Sequence, residues 1–402
     1  MSITRPRRKK IVGWRKQDGI RLAVLAWILG CWWIGARGSG GSFDPFLAAA
    51  WPDAARFEEL GDGTFRAEGE GGKTLGYATI GSASGYGGPL RVAVSMTPEG
   101  LVESVAVVEH RETPSFFRRV IDGRFLRRLA GKTSQDPIVL GDDVDGVSGA
   151  TYTSLALTQS VHRAAREIAQ DHLKLAVPAD QRRIVFGLPE IVLIALFAVA
   201  VVRRRIGGKV SNALRWTTLL GGLVFLGFAF NSSFVLAHIN MVLLGYWPEW
   251  QTHFYWYLLI AGLLLFKATE EWNVYCYDFC PFGAMQEIAA KIGGARPKRL
   301  RWHEGLVWAQ RFLTLAAISL ALLYRNPGLS SYEIFGTAFR LEGSNFQFGL
   351  LAIMLLSSLF LHRPWCRHLC PLHRNTTEGL FDNTRRIVRT TWQTLRAKLR
   401  PA

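Results

Sequence analysis

The chain has 402 residues, 49% of them hydrophobic with 14 Trp and 24 Phe, and its apolar residues are bunched into blocks, which argues against a single soluble globular domain. Its net charge of +17 is what a nucleic-acid binder would carry, yet the basic residues cluster beside the apolar blocks. That placement sets nucleic-acid binding aside in favour of a membrane protein with a soluble insert.

A helix needs about 20 apolar residues to cross a bilayer core of about 30 Å, and six stretches meet that measure: 19–37, 184–202, 216–236, 253–269, 304–324 and 346–362. Residues 1–18 form a basic N-terminus, with Arg5, Arg7, Arg8, Lys9, Lys10, Arg15 and Lys16 ahead of the first span. Basic residues followed by IRLAVLAWILGC also read as a secretory leader, and ILGC resembles a lipoprotein cleavage box ending at Cys31. The apolar run continues past Cys31 as WWIG, which suits a retained anchor over 19–37 better.

Residues 38–183 are the one segment long enough for a separate soluble core. FRAEGE, LGYATIG, LRVAVSM and VESVAVVEH alternate or run apolar like strands, and SLALTQSVHRAAREIAQDHL has apolar residues at helical spacing, so the segment is predicted to be a mixed α/β domain. None of the five cysteines lies in it.

Between strands and helix stands DGVSGATYTS, Asp145 to Ser154. The bland reading of its hydroxyls is that Thr153 or Ser154 caps the following helix. That leaves Asp145, Gly146, Gly149 and Ala150 unaccounted for. Small residues around Thr151 let a bulky group approach its hydroxyl, and Asp145 is placed to bring a metal ion or polarise a reacting oxygen. The lysine and glycine spacing of a P-loop is missing.

Residues 184–371 hold the remaining five spans and two copies of C-x-x-x-C-P, CYDFCPFG from Cys276 and CRHLCPLH from Cys366, 90 residues apart. Each copy follows a hairpin of two spans, so 216–281 and 306–371 read as an internal repeat. Residues four apart share a helix face, and the proline after each pair is expected to end or bend the helix there. Two such ends brought together would present the thiolates of Cys276, Cys280, Cys366 and Cys370 around one centre. The alternatives are plain reduced thiols, or structural zinc, which prefers C-x-x-C spacing; His362, His368 and His373 are further candidate ligands.

Basic clusters follow the second span (Arg203, Arg204, Arg205, Lys209), the fourth (Lys291, Arg296, Lys298, Arg299, Arg301) and the sixth, whereas the loops 237–252 and 325–345 hold only Arg325 and Arg340. This asymmetry predicts cytoplasmic termini and places 38–183 outside the cytoplasmic membrane. The tail, 372–402, reads as a basic amphipathic segment on anionic lipid. GYWPEWQTHFYWY, at the start of the fourth span, has the Trp and Tyr content of a quinone pocket or of an interfacial aromatic belt.

DGVSGAT resembles the motif at which a dedicated transferase links FMN through its phosphate to threonine in the NqrC, RnfG and NosR group of FMN-binding domains. The resemblance runs over Asp145, Gly146, Ser148, Gly149, Ala150 and Thr151, and implies that Thr151 bears a covalent FMN. GYGGPLRVAVSMTPEGLVESVAVVEHRETPSF, Gly85 to Phe116, is similar to the body of that domain, which makes Tyr86, Glu112 and Thr113 flavin neighbours. The C-x-x-x-C-P repeat is similar to the membrane parts of NosR, NapH and CcoG. Long NosR proteins continue into a ferredoxin domain; here about 30 residues follow Cys370, the short architecture also seen in PceC proteins of organohalide-respiring bacteria.

The sequence is therefore expected to be an α/β extracytoplasmic FMN-binding domain plus an all-α polytopic membrane domain of about six transmembrane helices, in a bacterial cytoplasmic membrane. The resemblance implies an electron-transfer oxidoreductase component with covalent FMN, an iron-sulfur cluster on the four cysteines and a quinol or cytoplasmic donor. Its acceptor would be an extracytoplasmic reductase or its maturation system. The rival class is a redox-sensing regulatory or assembly protein, in which the flavin senses and no sustained electron flow occurs.

Overall fold

The computed structural model describes residues 12–37 and 44–372, apart from 86, 113, 148–149, 179–183, 185, 207, 271–272, 296–300, 302, 331 and 342. Five strands, β1 (Arg56–Gly61), β2 (Thr64–Glu68), β3 (Thr74–Ser84), β4 (Pro89–Met96) and β5 (Val102–His110), form one antiparallel sheet in sequential order. Short turns force this meander. Asp62 and Gly63 both take positive φ between β1 and β2, as a two-residue hairpin matching the strand twist requires. The predicted α/β domain is thus built antiparallel, because no connection is long enough for a crossover helix. β1, RFEELG, went unread as a strand because its charges leave no apolar alternation.

Helix α1 (Val12–Arg37) and the short α2 (Asp44–Ala50) precede the sheet, and α3 (Pro114–Asp122), α4 (Leu126–Leu129) and α5 (Thr151–Glu167) follow it. Alternate β4 residues Leu90, Val92, Val94 and Met96 face Leu157, Val161, Ala164 and Ile168, at helical spacing on α5 and its π-helical extension Ile168–His172, in one buried cluster. The close fit depends on Gly81 of β3, where a Cβ would lie 1.9 Å from the Ser160 carbonyl oxygen.

The remainder is helical: α6 (Leu188–Arg205), α7 (Gly208–Gly221) continuing as a π-helical stretch Gly222–Ala229, α8 (Leu236–Leu244), α9 (Phe254–Glu270), α10 (Pro281–Ile292), α11 (His303–Leu323), α12 (Phe335–Arg340), α13 (Asn345–Ser358) and α14 (Pro364–His368). Each of the six predicted apolar stretches is mainly helical. Two helices, Gly19–Arg37 and His303–Leu323, are long and apolar enough to cross a membrane, and Phe254–Phe266 and Asn345–Ser358 are shorter apolar helices. The repeat is visible as an order of elements: α7, α8, α9 and the first cysteine pair, then α11, α12, α13 and the second.

α1 lies along α11, where Gly35 allows backbone contact at Leu322 and Trp27 Nε1 donates to Ser319 Oγ at 2.9 Å. The helix runs unbroken through Cys31, which is buried with Leu244 and Leu322. Large apolar side chains such as Leu22, Trp27, Phe312, Phe346 and Ile353 face outward, an exposure that water does not favour and lipid does.

Candidate functional site

α5 begins at Thr151, not at the predicted cap. Ala150 occupies the cap position with no side-chain cap, and Ser154 Oγ instead accepts from Val147 N at 3.2 Å, folding the loop back over the first helical turn. Thr151 stands exposed on that turn, while Ala150 beneath it is 4% exposed. Asp145 is exposed and its carbonyl oxygen accepts from Arg128 at 3.0 Å. Asp143 orders the approach to the loop by accepting from Val139 N at 2.7 Å and Lys132 Nζ at 3.0 Å. Burial would raise its pKa, but these donors hold it below the ordinary carboxylate value. Ser148, Gly149, Tyr86 and Thr113 lie outside the described residues.

Glu112, predicted as a flavin neighbour, is 2% exposed and ties three elements together. Its Oε1 accepts from Gly87 N at 3.1 Å in the β3–β4 turn, and its Oε2 accepts from Thr153 on α5 at 2.7 Å. A Cβ on Gly85 would lie 1.9 Å from Glu112 Oε1, so this turn requires glycine.

Next to Thr151, Tyr152 faces the helical body. It stacks on His253 with ring centroids 5.3 Å apart, and together with Gly85 it forms one wall of an open cleft. The other wall comes from the helical body, with Ser232, His238, Met241, His253, Tyr255 and Trp256. Arg163 of α5 pairs with Glu249, and Arg111 donates to the Tyr324 carbonyl at 2.9 Å, so the two parts are joined by further polar contacts.

The four cysteines lie near one another in the helical body. Cys276 lies in a π-helical turn, Tyr275–Phe279, and Cys280 caps α10 with Pro281 as its first residue. The turn carrying Cys276 ends just before Pro281, as expected, and the same proline opens the next helix, since the first helical position needs no N–H. Cys366 is on α14 and Cys370 just beyond it. All four are free thiols, three of them buried. Burial pushes each thiol up, Cys280 to about 12, and Cys366 adds to the rise at the other three; the Arg363 guanidinium opposes the rise at Cys276, Cys280 and Cys366. Among the described residues no three His, Cys, Asp or Glu side chains converge on a single-ion site, and His368 packs its ring on His303 at 5.3 Å. His362 is half-buried beside this end of the body, and His373 lies outside the described residues.

Residues not foreseen from the sequence hold the two cysteine pairs together. Gln286 of α10 donates to Cys366 Sγ at 3.2 Å and accepts from Trp365 N at 2.9 Å. Glu287 accepts from Arg215 at 2.6 and 2.7 Å and from Arg363, whose other nitrogen donates to the Cys276 carbonyl at 2.7 Å. The available signal was charge inside apolar surroundings: Arg215, Asp278 and Glu287 stand next to or within hydrophobic runs.

Residues 85–166 match the FMN-binding domain family, and residues 252–299 with 347–372 match the 4Fe-4S binding domain family, so each cysteine pair falls inside an iron-sulfur match. The fold and site thus define a redox protein built from a flavin-binding and an iron-sulfur-binding unit. The chain is NosR-like within that class. It is 34% identical to the regulatory protein NosR of Pseudomonas aeruginosa over 130 residues, covering 29% of this chain and 17% of that protein. To protein NirI of Paracoccus denitrificans it is 29% identical over 224 residues, 49% of this chain and 32% of the relative. To a component of the proton-translocating ferredoxin:NAD(+) oxidoreductase complex of Clostridium ljungdahlii it is 30% identical over 122 residues, 29% of this chain and 66% of that component. The chain therefore spans less than two thirds of each of these relatives.

Proposed function

We propose that the protein is a membrane electron-transfer flavoprotein, with FMN joined to Thr151 by a phosphoester that a flavin transferase installs, and with an iron-sulfur cluster held by Cys276, Cys280, Cys366 and Cys370. The flavin supplies interconversion of one- and two-electron chemistry, and the cluster supplies single-electron transfer. The chain's own residues do the positioning. The N-terminal turn of a 17-residue helix favours the negative charge of a phosphate at Thr151. Glu112 fixes that helix against the β3–β4 turn, and Arg363 places positive charge beside three of the four thiolates, which are costly to bury uncompensated.

One observation carries this reading: a single helical body walls the cleft beside Thr151 and also gathers the cysteines of both repeats. We place 19–37, 184–202, 216–236, 253–269, 304–324 and 346–362 as six spans, with the basic N-terminus 1–18 and tail 372–402 in the cytoplasm and 38–183 outside the cytoplasmic membrane. Electrons pass between a quinol or cytoplasmic donor and an extracytoplasmic reductase or its maturation system. A redox-sensing regulatory or assembly role is the second reading, favoured by the likeness to a protein named as regulatory. Protein purified without oxygen should contain iron and acid-labile sulfide in proportion to FMN, and quinol should reduce its flavin at a steady rate. Metal-free protein with undiminished flavin reduction refutes the cluster's role, and a single turnover with no sustained flow selects the regulatory reading.

A further inference from the structure

The cleft between the flavin domain and the helical body is lined by two polar side chains that no described residue satisfies. Trp256 is 7% exposed and His253 is 5% exposed, yet Trp256 Nε1 and His253 Nε2 have no hydrogen-bond partner among the described residues. Buried N–H groups left unpaired cost about 1–3 kcal/mol each, so two lining one cleft point to a ligand that pairs them. The indole N–H is always a donor. His253 Nδ1 lies 3.0 Å from the Thr252 hydroxyl; where that hydroxyl donates to Nδ1 and not to the Glu249 carbonyl 3.4 Å away, Nε2 carries the proton and is a second donor.

The rest of the lining narrows the ligand. Met241, Tyr255 and Leu259 add flat or apolar surface to the cleft. A planar ring with acceptors along one edge satisfies both walls and donors. Tyr152, the residue after Thr151, stacks on His253 inside the cleft. A ring tethered to Thr151 is therefore held at this opening at high effective concentration, an advantage no free ligand shares.

We propose that this cleft seats the isoalloxazine ring of the flavin carried on Thr151, with Trp256 Nε1 and His253 Nε2 donating hydrogen bonds to its acceptor edge. The proposal rests on Thr151 bearing FMN. Donors at that edge favour the electron-rich reduced ring over the oxidised one, so they raise the flavin's midpoint potential. Both belong to the helical body, so the part of the chain that holds the cysteines also sets the flavin's potential.

The test uses the full-length flavinylated protein, its Trp256→Phe and His253→Phe variants, which keep an aromatic ring and remove the N–H, and Trp250→Phe as a control at a tryptophan that does not line the cleft. Mass spectrometry of the Thr151 peptide confirms attachment in each. Redox titration should find a lower flavin midpoint potential in both cleft variants and no change in the control, and Trp256→Phe should raise flavin emission several-fold as the indole quencher is lost. Iodide should quench the wild-type flavin far less than free FMN. Wild-type quenching equal to that of free FMN overturns the proposal even if neither variant folds. So do unchanged potentials and emission in both cleft variants with flavin attached, including the case where a short-chain quinone loses its binding to them. A wild-type Thr151 peptide without the FMN mass defeats the attachment and this proposal together.

Discussion

At the scale of single residues, the flavin loop separates chemistry from support. Thr151 is exposed and packs little, so Thr151→Ala should abolish covalent FMN while leaving thermal stability within about 0.5 kcal/mol of wild type, read by peptide mass and by a melting curve. Thr153→Ala should do the reverse: the flavin stays, and stability falls by about 1–3 kcal/mol because a buried Glu112 oxygen loses its donor. Flavin lost from Thr153→Ala but kept in Thr151→Ala would reverse the two roles. The small residues of DGVSGAT single out Thr151 in the sequence as the proposed attachment site. The bonding of Glu112 was not legible there, because its partners Gly87 and Thr153 lie 25 and 41 residues away and no local pattern couples them.

Among the elements, α8 shows how a helix end is completed from a distant segment. Its first N–H, from Leu236, donates at 2.9 Å to Glu333 Oε2, while Glu333 Oε1 has no partner among the described residues. Glu333 lies in the segment 325–345 between proposed spans, and burial raises its carboxyl from 4.5 to about 8. Between those values the folded chain holds a proton that the unfolded chain has released. Stability therefore falls as pH rises through that window, the opposite of the salt-bridged carboxylate case. Glu333→Gln keeps an acceptor for Leu236 and removes the ionisation, so its melting temperature should vary less over this pH range than that of the wild type. An equal slope in both proteins would mean that Glu333 does not titrate there. Helices and strands with clear periodicity were legible, whereas their ends were not. α5 starts three residues before Ser154, whose hydroxyl accepts from Val147 in the preceding loop and does not cap the helix, and α10 starts at a proline, which suits a first helical position.

On the scale of the whole molecule, the proposed arrangement puts flavin and cysteines on opposite sides of a membrane. Reporter fusions after residue 40 and near 245 and 335 should be active outside, and fusions near 208, 290 and 390 inside. If the sites after 40 and near 290 report from the same side, electron transfer across the membrane fails as a description. The buried set Arg215, Glu287 and Arg363 gives a second expectation at this scale. Glu287→Gln leaves two cations without their counter-charge and should destabilise the helical body by about 3–5 kcal/mol, measured by thermal unfolding in detergent. The repeat itself was legible from the spacing of the cysteines, but the polar bridge between its halves was not, because it joins residues more than 70 positions apart.

That bridge bears on the order of assembly. Gln286 to Trp365 and Glu287 to Arg363 are bonds between protein groups that cross from α10, which follows the first half of the repeat, to the segment carrying the second cysteine pair. Gln310 holds the Cys370 carbonyl within the second half. The halves can therefore dock as the polypeptide folds, and cluster insertion becomes a late step into a frame already closed. Cys280→Ser and Cys366→Ser proteins should then reach the membrane and resist limited proteolysis within residues 273–372 as the cluster-loaded protein does, whereas Glu287→Gln should be cut there and fail to acquire iron. On this account, biogenesis is gated by a carboxylate that never touches the metal.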